Sequence, residues 1–341
     1  MIHFFTDPHL GQTLTSHTSH DSRSRLRTAL YHQALAAASE GQGDPIYCLG
    51  DLVHTYRNDE TTIQQCMTIL DKLTNCIMGN HDVTNRTDSI GTLELLEPLY
   101  DVVPAKMNKC NSMVTAGLGA IITMVPHTND QKLFTAELDK LSGVDKIESA
   151  RILLLHCNYE IPWETNDNTL NLTEEMAKKL LDKFDYILIG HEHNYREALD
   201  GRVILLGNTH PTNFGDISNK YRWTFDGSKM EKHLIWDKEK HFLQITPFSE
   251  DEIGSDVQFV KVVGKVDASE YPKYCRWLTK LWQRAGKTVY AIRNAAELIR
   301  EEITVKIDED ALQKLTETIA NEIKGDKELA ALFEEIRGEI S

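Results

Sequence analysis

Asp7 and His9 stand two residues apart near the start of the chain, within Asp7-Pro8-His9-Leu10-Gly11. Four further groups of similar chemistry follow in order: Gly50-Asp51-Leu52-Val53-His54, Gly79-Asn80-His81-Asp82, His156, and Gly190-His191-Glu192-His193. Carboxylate, imidazole and amide oxygen are donors that suit Mn²⁺, Fe²⁺ and Zn²⁺, and the lack of cysteine in these motifs excludes a thiolate site. Alternate residues, as in Asp7/His9 and His191/His193, can aim two ligands at adjacent positions where a strand frays into a loop. Glycines beside the motifs let the backbone turn sharply toward an ion. Any one such motif recurs by chance and is more often structural; five in this order are not coincidence and point to a metal centre.

The elements that must position these residues follow from the apolar pattern. Ile2–Phe5, Pro45–Leu49, Cys76–Met78, Ala120–Val125, Ile152–Leu155, Tyr186–Ile189 and Val203–Leu206 read as buried strands. Between them Ser22–Ser39, Thr61–Leu73 and Leu172–Lys183 carry helical spacing, with Asn171 and Glu174 resembling a cap and its partner at the third. The polar residues recur just after the strands, so the loops leaving a sheet edge are expected to build the site on a rigid core. The fold class is α/β, with mixed sheets flanked by helices.

Beyond Gly207 the pattern changes. Tyr221–Phe225, Lys232–Trp236 and His241–Thr246 read as short antiparallel strands, with turns at Asp226-Gly227 and Asp237–Lys240. Residues 247–256 form a polar linker. Gln258–Lys265, Ser269–Arg284 and Thr288–Arg293 then spell a small β–α–β unit, and from Asp308 two amphipathic helices are expected, with Leu312, Leu315 and Ile319 on one and Leu329, Leu332, Phe333 and Ile336 on the other. The expected domains are 1–246, 257–295 and 308–341.

The motif order resembles that of the calcineurin-like metallophosphoesterases, D-x-H, G-D, G-N-H-D, H and G-H-x-H. The resemblance implies a layered metallophosphoesterase domain in which Asp7, His9, Asp51 and His193 hold one divalent ion. Asp51 bridges to a second, completed by Asn80, His156 and His191. The implied cofactors are two divalent metal ions, Mn²⁺ foremost, with Mg²⁺, Fe²⁺ or Zn²⁺ as substitutes. His81 is implied in protonating or orienting the leaving group, with Asp82 behind it fixing its tautomer, and His54 in contacting the phosphate or positioning a DNA end. The two ions would acidify a shared water for in-line attack on phosphorus.

The longer forms Asp7–Gly11 and Gly50–His54 look like the DxHLG and GDxxH of the SbcD-type nuclease subunits, relatives of the meiotic recombination nuclease. Gly207–Asp216 is similar to that family's G-S/T-x-x-x-x-F-G-E/D segment, with Asn208 departing from the usual hydroxyl residue. The compact length suits the phage-type recombination exonuclease subunits best. That resemblance implies a DNA exonuclease, with endonuclease action as well, whose cap at 257–295 shapes DNA. Its C-terminal helices would dock on an SbcC-type ABC ATPase with a coiled coil, as a homodimer within a heterotetramer, in recombination, repair or replication. A stand-alone small-molecule phosphodiesterase or phosphatase and a metal-bound, non-catalytic assembly subunit are the alternatives.

Composition bounds these readings. The net charge of −15 argues against non-specific nucleic-acid binding, so DNA contact must come from a local patch. One exists between Lys261 and Arg293, where Lys261, Lys265, Lys273, Arg276, Lys280, Arg284, Lys287 and Arg293 face only Asp267 and Glu270. A solvated helix face is the plainer reading of such a run. Six scattered cysteines without a CxxC pair suit a reducing cytoplasm, bacterial or that of a phage-infected host, and no stretch is long enough for a bilayer. His17 and His20 lie in a polar loop and read as solvated; His127 either borders the site or is a satisfied structural histidine. Cys157, beside His156, has no base placed for it and reads as a small buried side chain.

Overall fold

The protein is described by a computed structural model covering residues 1–13, 20–41, 43–84, 90–104, 112–117, 119–145, 148–161, 170–285 and 288–299, with positions 314, 317–319, 321 and 329. His17, Cys110 and most of the expected C-terminal helices lie outside the described residues.

The first half of the chain runs β1 (Ile2–Phe5), α1 (His20–Ser39), β2 (Ile46–Cys48), α2 (Glu60–Leu70), β3 (Asn75–Ile77), α3 (Thr92–Leu96), β4 (Val102–Val103), β5 (Met113–Gly117), β6 (Ala120–Val125), α4 (Gln131–Ser142) and β7 (Ala150–His156). It continues with β8 (Asn158–Tyr159), β9 (Asn171–Leu172), α5 (Glu174–Leu181), β10 (Tyr186–Gly190), β11 (Arg196–Ala198), β12 (Val203–Leu205), β13 (Lys220–Phe225) and β14 (Met230–Trp236). These build two mixed six-stranded sheets, ordered β14-β13-β1-β2-β3-β4 and β11-β12-β10-β7-β6-β5.

The pleat explains why the strands read as unbroken apolar runs. Side chains alternate between faces, so a strand buried on both sides must be apolar throughout. Ile2 and Phe4 of β1 face a core shared with Ile122, Met124, Ile152, Leu154 and Leu188 of the other sheet. Phe5 turns the opposite way, onto Ala34 and Ala37 of α1 and Cys66 and Ile69 of α2. On the far side Leu153 and Leu155 of β7 and Ile187 and Ile189 of β10 meet Phe134 and Leu138 of α4 and Ala177 and Leu180 of α5. The result is a helix–sheet–sheet–helix sandwich, the α/β architecture expected.

Helix ends follow side-chain chemistry. Asp59 caps α2 by accepting from Thr62 N at 2.9 Å, and Asp130 caps α4. The cap of α5 is Thr173, whose Oγ1 accepts from Met176 N, and not Asn171. Asn171 lies in β9, and its side-chain oxygen accepts from Ile161 N at 3.2 Å, so its cap chemistry is used across the chain instead.

After β14 come α6 (Lys238–His241), β15 (Phe242–Ile245), β16 (Phe259–Asp267), a 3-10 turn (Ala268–Glu270), α7 (Tyr271–Arg284) and β17 (Ala291–Ile299). β15 does not continue the antiparallel meander expected of His241–Thr246: it pairs parallel with β16, in a separate sheet ordered β15-β16-β17. The expected turn at Asp237–Lys240 is a helical turn capped by Asp237, which carries the chain out of the β13–β14 hairpin. By contact the chain divides into two compact units, Met1–Gly264 with Pro272–Glu297, and Lys265–Tyr271 with Leu298–Ser341. Among the described residues no helix is long and apolar enough to cross a membrane.

Candidate metal centre

Parallel pairing brings the expected residues to one edge of the sandwich. β1 pairs with β2, and β10 with β7, so the loops after them open on the same side. Asp7, His9 and Asp51 are all buried. Asp7, His9, Asp51 and His191 have φ values of 53°, 48°, 50° and 90°, a region that side chains with a Cβ rarely adopt. Strain of this kind costs roughly 1–3 kcal/mol per residue and persists where surrounding structure imposes it. At Asp7, His9 and Asp51 the paired loops after β1 and β2 impose it: Asp7 N donates to Gly50 O at 3.1 Å and His9 N to Asp51 O at 3.0 Å.

Two ligand clusters result. Asp7, His9 and His193 form one, and Asp51, His156 and His191 the other, with the donor atoms of each within 4.8 Å of one another. Asp51 lies between them, its Oδ2 3.9 Å from His9 Nε2 and 3.3 Å from His156 Nε2. Asn80 Oδ1 is 3.0 Å from His156 Nε2 and 2.9 Å from His191 Nδ1.

The donor set fits divalent cations on hydrogen-bonding grounds. His156 Nδ1 lies 2.7 Å from Leu49 O, an acceptor, and so carries the ring proton. In the neutral ring Nε2 is then bare, yet it faces Asp51 Oδ2 and Asn80 Oδ1, which also offer lone pairs. His193 Nδ1 is likewise committed to Asp216 at 3.1 Å, leaving Nε2 bare at 2.9 Å from His9 Nε2. At His156 lone pairs converge, and a positive charge, whether a proton or a metal cation, is needed among them. The electrostatics agree in sign. Burial alone lowers the His156 pKa, but the Asp51 charge and hydrogen bond, with Asp7, lift it to about 10. Asp51 responds in the opposite sense: burial pushes its carboxyl up, but His156 and His9 hold it well below the usual carboxylate range. Burial takes His191 down to about 3, which keeps that ring neutral and able to donate a lone pair.

His54 and His81 stand beside these clusters. Their rings stack with centroids 5.3 Å apart, and both join His9 in a third group of convergent nitrogens. His81 Nδ1 donates to the His54 carbonyl oxygen at 2.7 Å, and its backbone N–H donates to Asp51 Oδ1 at 2.9 Å. The partner that fixes the His81 tautomer is therefore this carbonyl and not Asp82. Asp82 is fully buried and accepts from the backbone N–H groups of Gly79 at 2.8 Å and Val53 at 3.0 Å. Its two oxygens thus staple the two motif loops together. Burial, with the Asp51 charge, raises its pKa to about 7.

His127 borders the site, its ring 6.3 Å from that of His156, with Nε2 3.3 Å from Asn129 Oδ1. Cys157 is buried, and burial pushes its thiol up, which suits a packing role. Several supporting residues carried no role in the sequence reading. Thr6 donates to Asp7 Oδ2 at 2.5 Å, Asp216 backs His193, and the buried Lys220 donates to the His193 carbonyl at 2.9 Å. Only the Gly207–Asp216 resemblance drew attention to that part of the chain.

Comparison with known proteins agrees with the motif order. The model of the calcineurin-like phosphoesterases matches residues 1–195, which contain every expected ligand. No curated protein matches the chain significantly. Among solved structures, one similar chain is a provisionally assigned 5'-nucleotidase from Staphylococcus aureus in complex with alpha-ketoglutarate. It is 11% identical, with a TM-score of 0.42, covering 68% of this chain and 52% of that one. Another is the purple acid phosphatase PPD1 from yellow lupin (Lupinus luteus) seeds, 14% identical with a TM-score of 0.42, covering 69% of this chain and 51% of that one. The chain thus spans about half the length of these two proteins. With more than half of its residues matched by the family model and the motif residues gathered at one sheet edge, the chain belongs to the calcineurin-like phosphoesterases.

Proposed function

We propose that this phosphoesterase is a metal-dependent DNA nuclease, an SbcD-type subunit that acts with an SbcC-type ABC ATPase in DNA end processing. The observation that carries this reading is the position of His54. The extended Gly50–His54 motif, the form similar to that of the nuclease subunits, delivers an imidazole beside His81 at the edge of the ligand clusters. The exposed side of α7 adds support, since Lys273, Arg276 and Lys280 succeed one another at helical spacing there. Such a row suits a phosphate backbone despite the acidic whole.

In this reading Asp7, His9, Asp51 and His193 would hold one divalent ion, and Asp51, Asn80, His156 and His191 the other, with Mn²⁺ foremost. Bound there, the ions would supply positive charge against the phosphate oxygens and lower the pKa of a water. The chain's own residues do the rest. With His81 Nδ1–H pinned to the His54 carbonyl, Nε2 is the nitrogen left for the leaving group: in the imidazolium form it would hand its proton to the departing sugar oxygen and return to the neutral ring protonated on Nδ1. Burial, with the charge of His81, takes His54 down to about 4, so at neutral pH it orients phosphate as a neutral hydrogen-bond donor. Asp82 holds the two loops at fixed separation and takes no part in proton transfer.

The test compares linear duplex DNA, circular single-stranded DNA and a small phosphodiester with Mn²⁺ and with Mg²⁺. Cleavage of DNA at far higher kcat/KM than the small ester is expected; the reverse preference would refute the nuclease reading. Truncation after Lys306 is expected to leave a metal-loaded, basally active domain that no longer co-purifies with an SbcC-type ATPase. An unchanged complex would remove the C-terminal segment 308–341 as the docking element, and with it the proposed homodimer-bearing heterotetramer built through that segment.

A further inference from the structure

We propose that Asp216 is a positioning residue for the metal centre: it fixes the tautomer and ring plane of His193 so that Nε2 alone is presented as a ligand. The inference rests on the reading that Asp7, His9 and His193 bind a divalent cation.

Asp216 closes the Gly207–Asp216 segment and is 4% exposed. Every partner its carboxylate meets is a donor. Oδ2 accepts from His193 Nδ1 at 3.1 Å, Asn208 Nδ2 at 2.8 Å, Thr212 Oγ1 at 2.8 Å and Thr212 N at 3.0 Å. Oδ1 accepts from Asn213 N at 3.0 Å and from Thr212 N at 3.2 Å. A carboxylate so saturated cannot rotate, so the direction of its bond to His193 is set by the loop. Because an ionised carboxylate only accepts, the proton of the neutral imidazole resides on Nδ1. Nε2 is left bare, and it is the nitrogen that lies 2.9 Å from His9 Nε2.

The same stretch of chain holds the backbone of His193. Its carbonyl oxygen accepts from Lys220 Nζ at 2.9 Å and from Asn208 N at 3.2 Å, and Lys220 is 0% exposed. Ring and main chain of His193 are therefore both anchored by this stretch of chain, and Nε2 is the ring nitrogen it leaves uncommitted. Asn208 serves both anchors, its side-chain amide on Asp216 and its backbone N–H on His193. Carboxylate–imidazole–metal arrangements of this kind raise ligand basicity, and losing the carboxylate commonly weakens metal binding by about 10–100-fold. The competing role is a loop staple, because Thr212 and Asn213 donate their backbone N–H groups to the same carboxylate.

Mn²⁺ titration of the full chain, followed by the EPR signal of free Mn²⁺, separates the two roles. Asp216→Asn is expected to weaken one Mn²⁺ equivalent by about 10–100-fold and the other far less. In a His193→Ala background the same substitution is expected to add no further loss, since the pair acts as one unit. Unchanged binding of both equivalents in Asp216→Asn, or an undiminished loss in the His193→Ala background, would overturn the proposal. Should Asp216→Asn fail to fold, long-range ¹H–¹⁵N spectra of the metal-free wild type decide it: a neutral His193 protonated on Nδ1 supports the role, and one protonated on Nε2 defeats it. A wild-type chain that binds no Mn²⁺ overturns the underlying cation reading instead, and is recognised by the loss of both equivalents before any substitution.

Discussion

Gly79→Ala puts the steric construction of the centre to a direct test. A Cβ at position 79 would lie 2.6 Å from Asp51 N and 2.7 Å from His156 Cε1, and closer still to Asp51 Oδ1. Ordinary contact for a Cβ begins at 3.4 Å, so the methyl group intrudes by about 0.7 Å on His156 and more on Asp51. Neither neighbour can retreat cheaply. Asp51 and His156 are each 1% exposed, and the His156 ring is tied by Nδ1 to the Leu49 carbonyl. The expected stability cost is that of overpacking, about 1–3 kcal/mol. The functional cost should be larger, because displacing a reacting group by about 1 Å can lower turnover by about 10²-fold. Gly143→Ala is the matched control: its φ of −87° suits alanine, and the new Cβ meets Lys140 O at 3.4 Å and Asp139 O at 3.9 Å, both ordinary contacts. Metal content by elemental analysis and hydrolysis of a small phosphodiester would be measured for both variants. A Gly79→Ala protein with two bound ions and wild-type turnover would refute the close packing of Asp51 and His156 on which the bridging role depends.

Three other outcomes follow from the same geometry. His81→Ala should keep its metal content while cleavage falls by about 10²-fold or more; loss of one metal equivalent would show that His81 is a ligand. Asp51→Ala should lose or loosen both ions and His193→Ala mainly one, so two tightly held ions in Asp51→Ala would end the bridging assignment. At Asp59 the Arg27 hydrogen bond, with that from Thr62 N, holds the carboxyl at about 2. Its folded pKa is depressed, so its stabilisation is present above the unfolded value near 3.8 and is lost as pH falls toward 2. Asp59→Ala should cost about 1 kcal/mol as a lost cap at neutral pH. The exposed ion pair adds less than about 1 kcal/mol, and Asp59→Asn, which keeps the cap acceptor, should flatten the acid dependence measured by urea unfolding between pH 2 and about 4.

Much of the site was legible in the sequence because its chemistry is local. A buried strand such as Ile152–Leu155 is apolar on both faces, and a polar residue just beyond it, such as His156, must lie at the sheet edge. Repeating that logic at Asp7, Asp51, Asn80 and His191 places the candidate ligands at the sheet edge without a single tertiary contact. What the tertiary structure decided is which atom of each ring faces inward and what holds it there. His156 is oriented by the carbonyl of Leu49, 107 residues away, and His193 by Asp216 across a separate loop. Asp82 is adjacent to His81 in sequence, yet its carboxylate is turned onto the amides of Gly79 and Val53, which only the pairing of two loops brings within reach. The direction of β15 was hidden for the same reason. An alternating apolar strand carries no mark of whether its neighbour runs parallel or antiparallel, and the partner, Phe259–Val262, lies beyond a polar linker. Residue type and spacing set what each segment can do; long-range hydrogen bonds between segments choose among those options, because a lone pair or a proton is aimed only once its distant partner is in place.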